Sequence, residues 1–265
     1  MDLLHAIFLA LLQGFTEFLP ISSSGHLVLT PHVLGWPDQG LAFDVAVHLG
    51  TLCAVVAYFR HELVAMTVAW FRSIGGGAAT AESRMAWAII WGTVPVALAG
   101  FIVAGPVEAY LRSPMLVAAT TAGFGILLWL ADVRGQRSRD EHSLSWSDVL
   151  IIGLLQVLAL IPGTSRSGIT ITAGLLLGLT REASARFSFL LAVPVITAAA
   201  TLETFVLIES SEPVDWTALG VGAVVSCLVA YLTIRWFLAF LGRIGMLPFA
   251  VYRVILAIAI AAYFY

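Results

Sequence analysis

Residues 13–26 read QGFTEFLPISSSGH, and they put charge and backbone polarity into a chain that otherwise has little of either. Gln13 and Glu17 stand four residues apart, so on a helix they share one face. Pro20, then Ser22, Ser23, Ser24 and Gly25, break that helix, and His26 follows at once. A second stretch at 156–168, QVLALIPGTSRSG, repeats the plan: Gln156, apolar turns, Pro162, then a Ser/Gly-rich break that contains Arg166. The step from Gln to closing Gly, 13 to 25 and 156 to 168, is the same in both.

The rest of the 265-residue chain sets the context for these two breaks. It is 60% hydrophobic and 11% charged, with a mean hydropathy of +0.97, whereas soluble domains are about 25% charged. This composition defines an all-α polytopic membrane protein. A net charge of -3 without a basic patch excludes a nucleic-acid partner. All 13 basic residues are arginine, which excludes chemistry that needs a catalytic lysine. Cys53 and Cys227 lie inside apolar runs and read as small packing residues. The N-terminus lacks the basic region and cleavage site of a removable signal peptide.

Six stretches are long enough to span a bilayer: 41–59, 85–104, 114–131, 187–208, 216–234 and 246–265. The two broken stretches are not. The helix expected after the first break, 27–34, covers roughly 12 Å at about 1.5 Å per residue, well short of a core about 30 Å thick. The economical reading is two re-entrant helix-loop-helix pairs, 3–34 and 149–179, the second returning over 169–179, each followed by three spans. Such tips are tolerated only where protein or a wet cavity covers them. An odd number of spans separates the pairs, so they enter from opposite sides as an inverted-topology repeat, about 1–131 and about 148–265, in a single membrane domain of 1–265.

Arginine counts in the short loops orient this arrangement. With the 60–84 loop inside, Arg60, Arg72, Arg84, Arg134, Arg137, Arg139, Arg181, Arg186, Arg235 and Arg243 are all cytoplasmic, and Arg112 alone falls outside with the acidic loop carrying Glu209, Glu212 and Asp215.

A charge at mid-membrane costs roughly 2.5–3.5 kcal/mol on insertion scales, so Glu17 and Arg166 need a compensating role. The plain one is a buried ion pair that fixes two tips. The chemical one is an anion site, in which free backbone N–H groups at the start of each returning helix face a phosphate and Arg166 adds a fork of donors. Ser22, Ser23 and Ser24 are candidate nucleophiles, His26 can move a proton, Glu17 can act as base, orient His26 or hold a metal, and Gln13, a neutral amide and a poor metal ligand, can hydrogen-bond a tip carbonyl. The residues alone leave these roles open. Asp44 and His48, also four apart, either line a vestibule or make a helix–helix hydrogen bond. Glu203 near an interface and Arg253 in the last span read as interfacial, snorkelling or ion-pairing residues outside the site.

EFLPISSSGH at 17–26, PGTSRSGIT at 162–170 and FSFLLAVP at 187–194 together resemble the undecaprenyl-diphosphatases of the bacitracin-resistance type over essentially the whole chain. The resemblance implies a bacterial inner-membrane phosphatase, opening to the periplasm, that regenerates the carrier lipid of peptidoglycan synthesis. Carried over, the family's acidic motif falls on Gln13 and Glu17, its Ser and His on Ser23 and His26, and its phosphate-binding motif on Ser165, Arg166, Ser167 and Thr170; Ser22 and Ser24, flanking Ser23, are expected to bind substrate. It also implies a divalent cation, Mg or Ca, although Gln13 stands where relatives carry Glu. A homodimer is compatible with the sequence but not fixed by it. Type 2 phosphatidic acid phosphatases perform similar chemistry, but their Lys-containing motif is missing. The competing class is a transporter or flippase of a polyprenyl phosphate lipid, since inverted repeats with broken helices also build transporters.

Overall fold

The computed structural model describes residues 2–110, 113–210 and 215–264. Arg112 and Glu212 lie outside the described residues. Within them the chain forms eleven α-helices and no strand, apart from one isolated bridge between Arg139 and Leu179. These are α1 (Leu3–Thr16), α2 (Ser23–Leu34), α3 (Leu41–Tyr58), α4 (Arg60–Ile74), α5 (Ala81–Tyr110), α6 (Pro114–Arg134), α7 (Trp146–Gln156), α8 (Arg166–Leu176), α9 (Arg181–Ser210), α10 (Trp216–Ile244) and α11 (Leu247–Phe264).

Six of them, α3, α5, α6, α9, α10 and α11, are long and apolar enough to cross a bilayer, which makes this an all-helical multi-pass membrane protein. Their ends differ from the sequence expectation. α10 runs 29 residues to Ile244 and carries Arg235 within it; at 1.5 Å per residue that is about 43 Å, longer than the hydrocarbon core. Arginine is a good helix former, so a charge that marks the end of the apolar stretch does not end the helix. For the same reason α9 begins at Arg181. Much of the 60–84 loop is helical, as α4.

Both breaks are tighter than expected. The helix after the first break, α2, starts at Ser23 rather than at residue 27, so Ser23, Ser24, Gly25 and His26 form its first turn. At 12 residues α2 still covers only about 18 Å. At the second break α7 runs into a 3-10 turn, Val157–Leu160, and α8 starts at Arg166 rather than at residue 169. α2 and α8 are each preceded by a serine in a left-handed backbone conformation, Ser22 at φ 73° and Ser165 at φ 72°. Few non-glycine residues adopt this region.

The helices pair in a regular scheme. α1 lies against α10 and α7 against α5, α3 packs on α10 and α9 on α5, and α6 packs on α11. The main core joins these elements through Phe18, Val55, Phe59, Leu128, Phe187, Phe189 and Ile234. Phe18 and Phe189 meet edge to face at 5.1 Å, anchoring the first break on α9. On the side that the arginine count assigns to the cytoplasm, Arg181 pairs with Asp132 at 2.6 Å, Arg186 with Glu62 and Glu141, and Arg139 with Asp148 at 2.7 Å.

Candidate active site

Glu17 caps the end of α1, only 9% exposed, and three donors from three segments converge on it. Gln13, one turn back, donates Nε2 to Oε2 at 3.0 Å. Ser23, the first residue of α2, donates its hydroxyl to the same oxygen at 2.6 Å. Arg166, the first residue of α8, donates Nη2 to Oε1 at 3.2 Å and Nη1 to the Ser188 carbonyl at 3.0 Å. The starts of two half-helices thus face one carboxylate. Both carry the positive end of a helix dipole there.

Around Glu17, Ser23 and Arg166 lies a cavity of about 240 Å³, whose polar lining also includes Ser22, Ser24, Ser165, His48 and Glu203, with apolar walls from Val96, Leu160, Val195 and Ile196. An apolar groove of about 360 Å³ between α5 and α9 adjoins it and shares Val96, Leu160, Val195, Ala199 and Glu203.

The sequence candidates therefore separate. Glu17, Ser22, Ser23, Ser24, Ser165 and Arg166 come together around the cavity. Ser165 is partly committed, accepting the Gly168 amide at 3.1 Å as the α8 cap. Ser167 and Thr170 are not among the lining residues. Ser167 donates to the Leu19 carbonyl at 3.0 Å, tying one break to the other, while Thr170 donates to the Arg166 carbonyl and meets the Ser188 hydroxyl at 2.7 Å.

His26 turns away from Ser23. Its Nδ1 sits 2.8 Å from the Ser22 carbonyl, which can only accept, so Nδ1 carries a proton, and its Nε2 meets the Tyr252 hydroxyl on α11. His48 does the opposite. Its Nδ1 donates to the Asp44 carbonyl at 2.7 Å, one turn back on α3, and its Nε2 lies 3.8 Å from Glu17 Oε2. The four-residue spacing of Asp44 and His48 was legible, but the bond goes to the backbone, and Asp44 is held instead by Gln39 at 2.9 Å.

Two residues set outside the site by the sequence reading move. Glu203 lines the cavity. Arg253 neither snorkels nor pairs with an acid among the described residues: it is 0% exposed and donates to four backbone carbonyls.

As for a metal, no three His, Cys, Asp or Glu side chains come together among the described residues. Of the two metal candidates, Glu17 lines the cavity, and Gln13, which does not, has an Oε1 buried without a hydrogen-bond partner. That set fits a cation that keeps other ligands, not a cage made by protein alone.

An all-helical multi-pass membrane protein thus gathers a hydroxyl, a carboxylate and a guanidinium at two helix starts. The family model described as bacitracin resistance protein BacA matches residues 6–259, and the chain belongs to that family. It is 57% identical over 267 residues to undecaprenyl-diphosphatase 2 of Stutzerimonas stutzeri, covering 100% of this chain and 99% of the relative. It is 59% identical over 256 residues to the undecaprenyl-diphosphatase of Nitrosococcus oceani, at 97% of each chain, and 56% identical to that of Chromohalobacter salexigens, at 98% of each.

Proposed function

We propose that this chain is an undecaprenyl-diphosphate phosphatase, which hydrolyses undecaprenyl diphosphate to undecaprenyl phosphate and inorganic phosphate and so confers bacitracin resistance. The observation that carries this reading is the joint contact of Ser23 and Arg166 with Glu17 beside a cavity. A binding site for transport needs donors alone. Here a hydroxyl already hydrogen-bonded to a carboxylate supplies a nucleophile with its base. The apolar groove that adjoins the cavity suits the prenyl chain.

In the reaction, Arg166 and the free amides at the start of α2 and α8 hold the terminal phosphate, drawing the guanidinium from Glu17 towards the phosphate oxygens. Ser23 Oγ attacks the terminal phosphorus while its proton passes to Glu17, the anhydride bond breaks, and undecaprenyl phosphate leaves. Water then cleaves the Oγ–P bond, its proton restores the Ser23 hydroxyl, and inorganic phosphate departs with the proton held by Glu17. The 2.6 Å bond supports Glu17 rather than His26 as the acceptor. His26, fixed by Tyr252 and the Ser22 carbonyl, supports the α2 start. Ser22, Ser24 and Ser165 are the further phosphate ligands.

A divalent cation, Mg or Ca, would be held by Glu17 and Gln13 Oε1 and would supply positive charge against the phosphates. Purified protein in detergent should release phosphate from undecaprenyl diphosphate, and a chelator should lower that rate at least 10-fold, with recovery on adding Mg or Ca. Lipid movement across a vesicle without any phosphate release would favour the flippase; full activity in chelator would remove the cation.

The same reading includes two re-entrant pairs, α1–α2 and α7–α8, in an inverted repeat of about 1–131 and 148–265 within one membrane domain. Exchanging the halves turns the α1–α10 contact into α7–α5 and α3–α10 into α9–α5, and returns α6–α11 to itself. Gln13 and Gln156, both 0% exposed, and the left-handed Ser22 and Ser165 correspond in the same way. The site then opens to the periplasm from the inner membrane. Accordingly, a cysteine at Ser138 should label from the cytoplasm and one at Ser211, outside the described residues, from the periplasm. Labelling of both from one side would overturn the repeat. A homodimer is a further proposal, testable by mass measurement in detergent.

A further inference from the structure

Breaking two helices inside a membrane leaves carbonyls that the next turn no longer satisfies, and each unsatisfied one costs free energy in the absence of water. At the second break the carbonyl of Pro162 accepts from Thr120 on α6 at 2.6 Å. The carbonyls of Gly163 and Thr164 accept from Arg253 Nη2 at 2.8 and 2.9 Å. At the first break, Pro20 accepts from Arg253 Nη1 at 3.3 Å. Arg253 Nε donates to the Thr121 carbonyl of α6 at 2.9 Å. A single guanidinium, fully buried in the middle of α11, therefore ties both breaks to α6.

The surroundings leave room for that fork and nothing larger. A Cβ on Gly125 of α6 would lie 2.9 Å from Arg253 Cβ and 3.3 Å from its Nε, and a Cβ on Gly168, in the first turn of α8, would lie 2.7 Å from its Nη1. Gly168 is two residues beyond Arg166, and its amide is capped by Ser165. Pro20 is three residues beyond Glu17. Arg253 thus grips each break beside the residue that faces the cavity.

We propose that Arg253 is a positioning residue for the reaction: by clasping the Pro20, Gly163 and Thr164 carbonyls it sets Arg166 against Glu17 and Ser23, without touching substrate. The proposal rests on the phosphatase reading for its kinetic consequence, but not for the clasp itself. A planar fork with five donors does this; an ammonium, with three donors on a point, cannot span both breaks from one location.

The test is Arg253→Lys in purified protein. We expect kcat for phosphate release to fall about 10-fold while KM stays within about 2-fold. Arg166→Lys should itself cost at least about 10-fold, and the double variant should lose at least about 5-fold less than the product of the two single losses, because both act on one alignment. Amide hydrogen exchange should accelerate at 17–22 and at 162–165 together in Arg253→Lys. A kcat within 2-fold of wild type, independent losses in the double variant, or exchange unchanged at either break would each overturn the proposal. If Arg253→Lys fails to fold, Gly125→Ala keeps the charge and pushes the side chain off α6; it should show the same coupled loss, and full activity there would overturn the clasp. Should the wild-type protein release no phosphate, the phosphatase reading fails by itself, and exchange at the two breaks still decides for or against the clasp.

Discussion

Glu17→Gln is expected to lower kcat about 1,000-fold, or about 4 kcal/mol in the transition state, and to lower stability as well. The substitution keeps the shape of the side chain and an oxygen that can still accept from Ser23 or Arg166. It removes the charge. The Arg166 guanidinium, 12% exposed, then has no counter-charge at 3.2 Å, and breaking one partner of a buried pair typically costs about 3–5 kcal/mol. An amide is also no acceptor for the Ser23 proton, so the attack loses its base. The two effects separate in the double variant Glu17→Gln, Arg166→Gln. Removing the orphaned cation should recover part of the thermal stability and none of the turnover. Recovery of both would mean that Glu17 serves only to balance Arg166, and near wild-type kcat in the single variant would move the base elsewhere.

How much of this was legible beforehand follows from the range of each interaction. The six spans announce themselves because a bilayer demands length and apolarity, both local properties. Their ends do not, because α9 and α10 continue as helix past the point where arginine appears. The two breaks were visible in Pro, Ser and Gly, yet the starts of α2 and α8 fell three to four residues earlier than expected, since a left-handed serine begins a helix as readily as it interrupts one. Glu17, Ser23 and Arg166 were legible as a set because chemistry of this kind is rare in apolar surroundings.

The neighbours of that set were not legible. His26 on α2 and Tyr252 on α11 are 226 positions apart, and only the tertiary fold brings the hydroxyl to the imidazole. His48 and Glu203 reach the cavity because α3 and α9 pack against each other beside the first break. Arg253 was misread for a related reason. A charge in a span suggests an acid or the interface, whereas its partners here are carbonyls, which every residue carries and no sequence pattern marks.

Ser23→Ala is expected to reduce kcat by about 1,000-fold or more with KM changed by no more than about 3-fold, because the hydroxyl acts in the transition state rather than in substrate binding. The geometry distinguishes Ser23 from its neighbours. Ser23 donates to Glu17 at 2.6 Å, whereas Ser22 and Ser24 meet each other at 3.4 Å without touching a base. An aliphatic hydroxyl needs such a base to attack phosphorus at neutral pH. Ser22→Ala and Ser24→Ala should therefore lose less than about 10-fold. Removing the Ser23 hydroxyl leaves Arg166 on Glu17, so the protein should stay folded and still bind the diphosphate. The decisive companion is a rapid acid quench of wild-type protein turning over diphosphate labelled in its terminal phosphate. Label retained on the Ser23 peptide identifies the phosphoserine. Substantial turnover by folded Ser23→Ala, with no retained label in wild type, would hand the attack to a water activated by Glu17, and Ser23 would then be a phosphate ligand like its two neighbours.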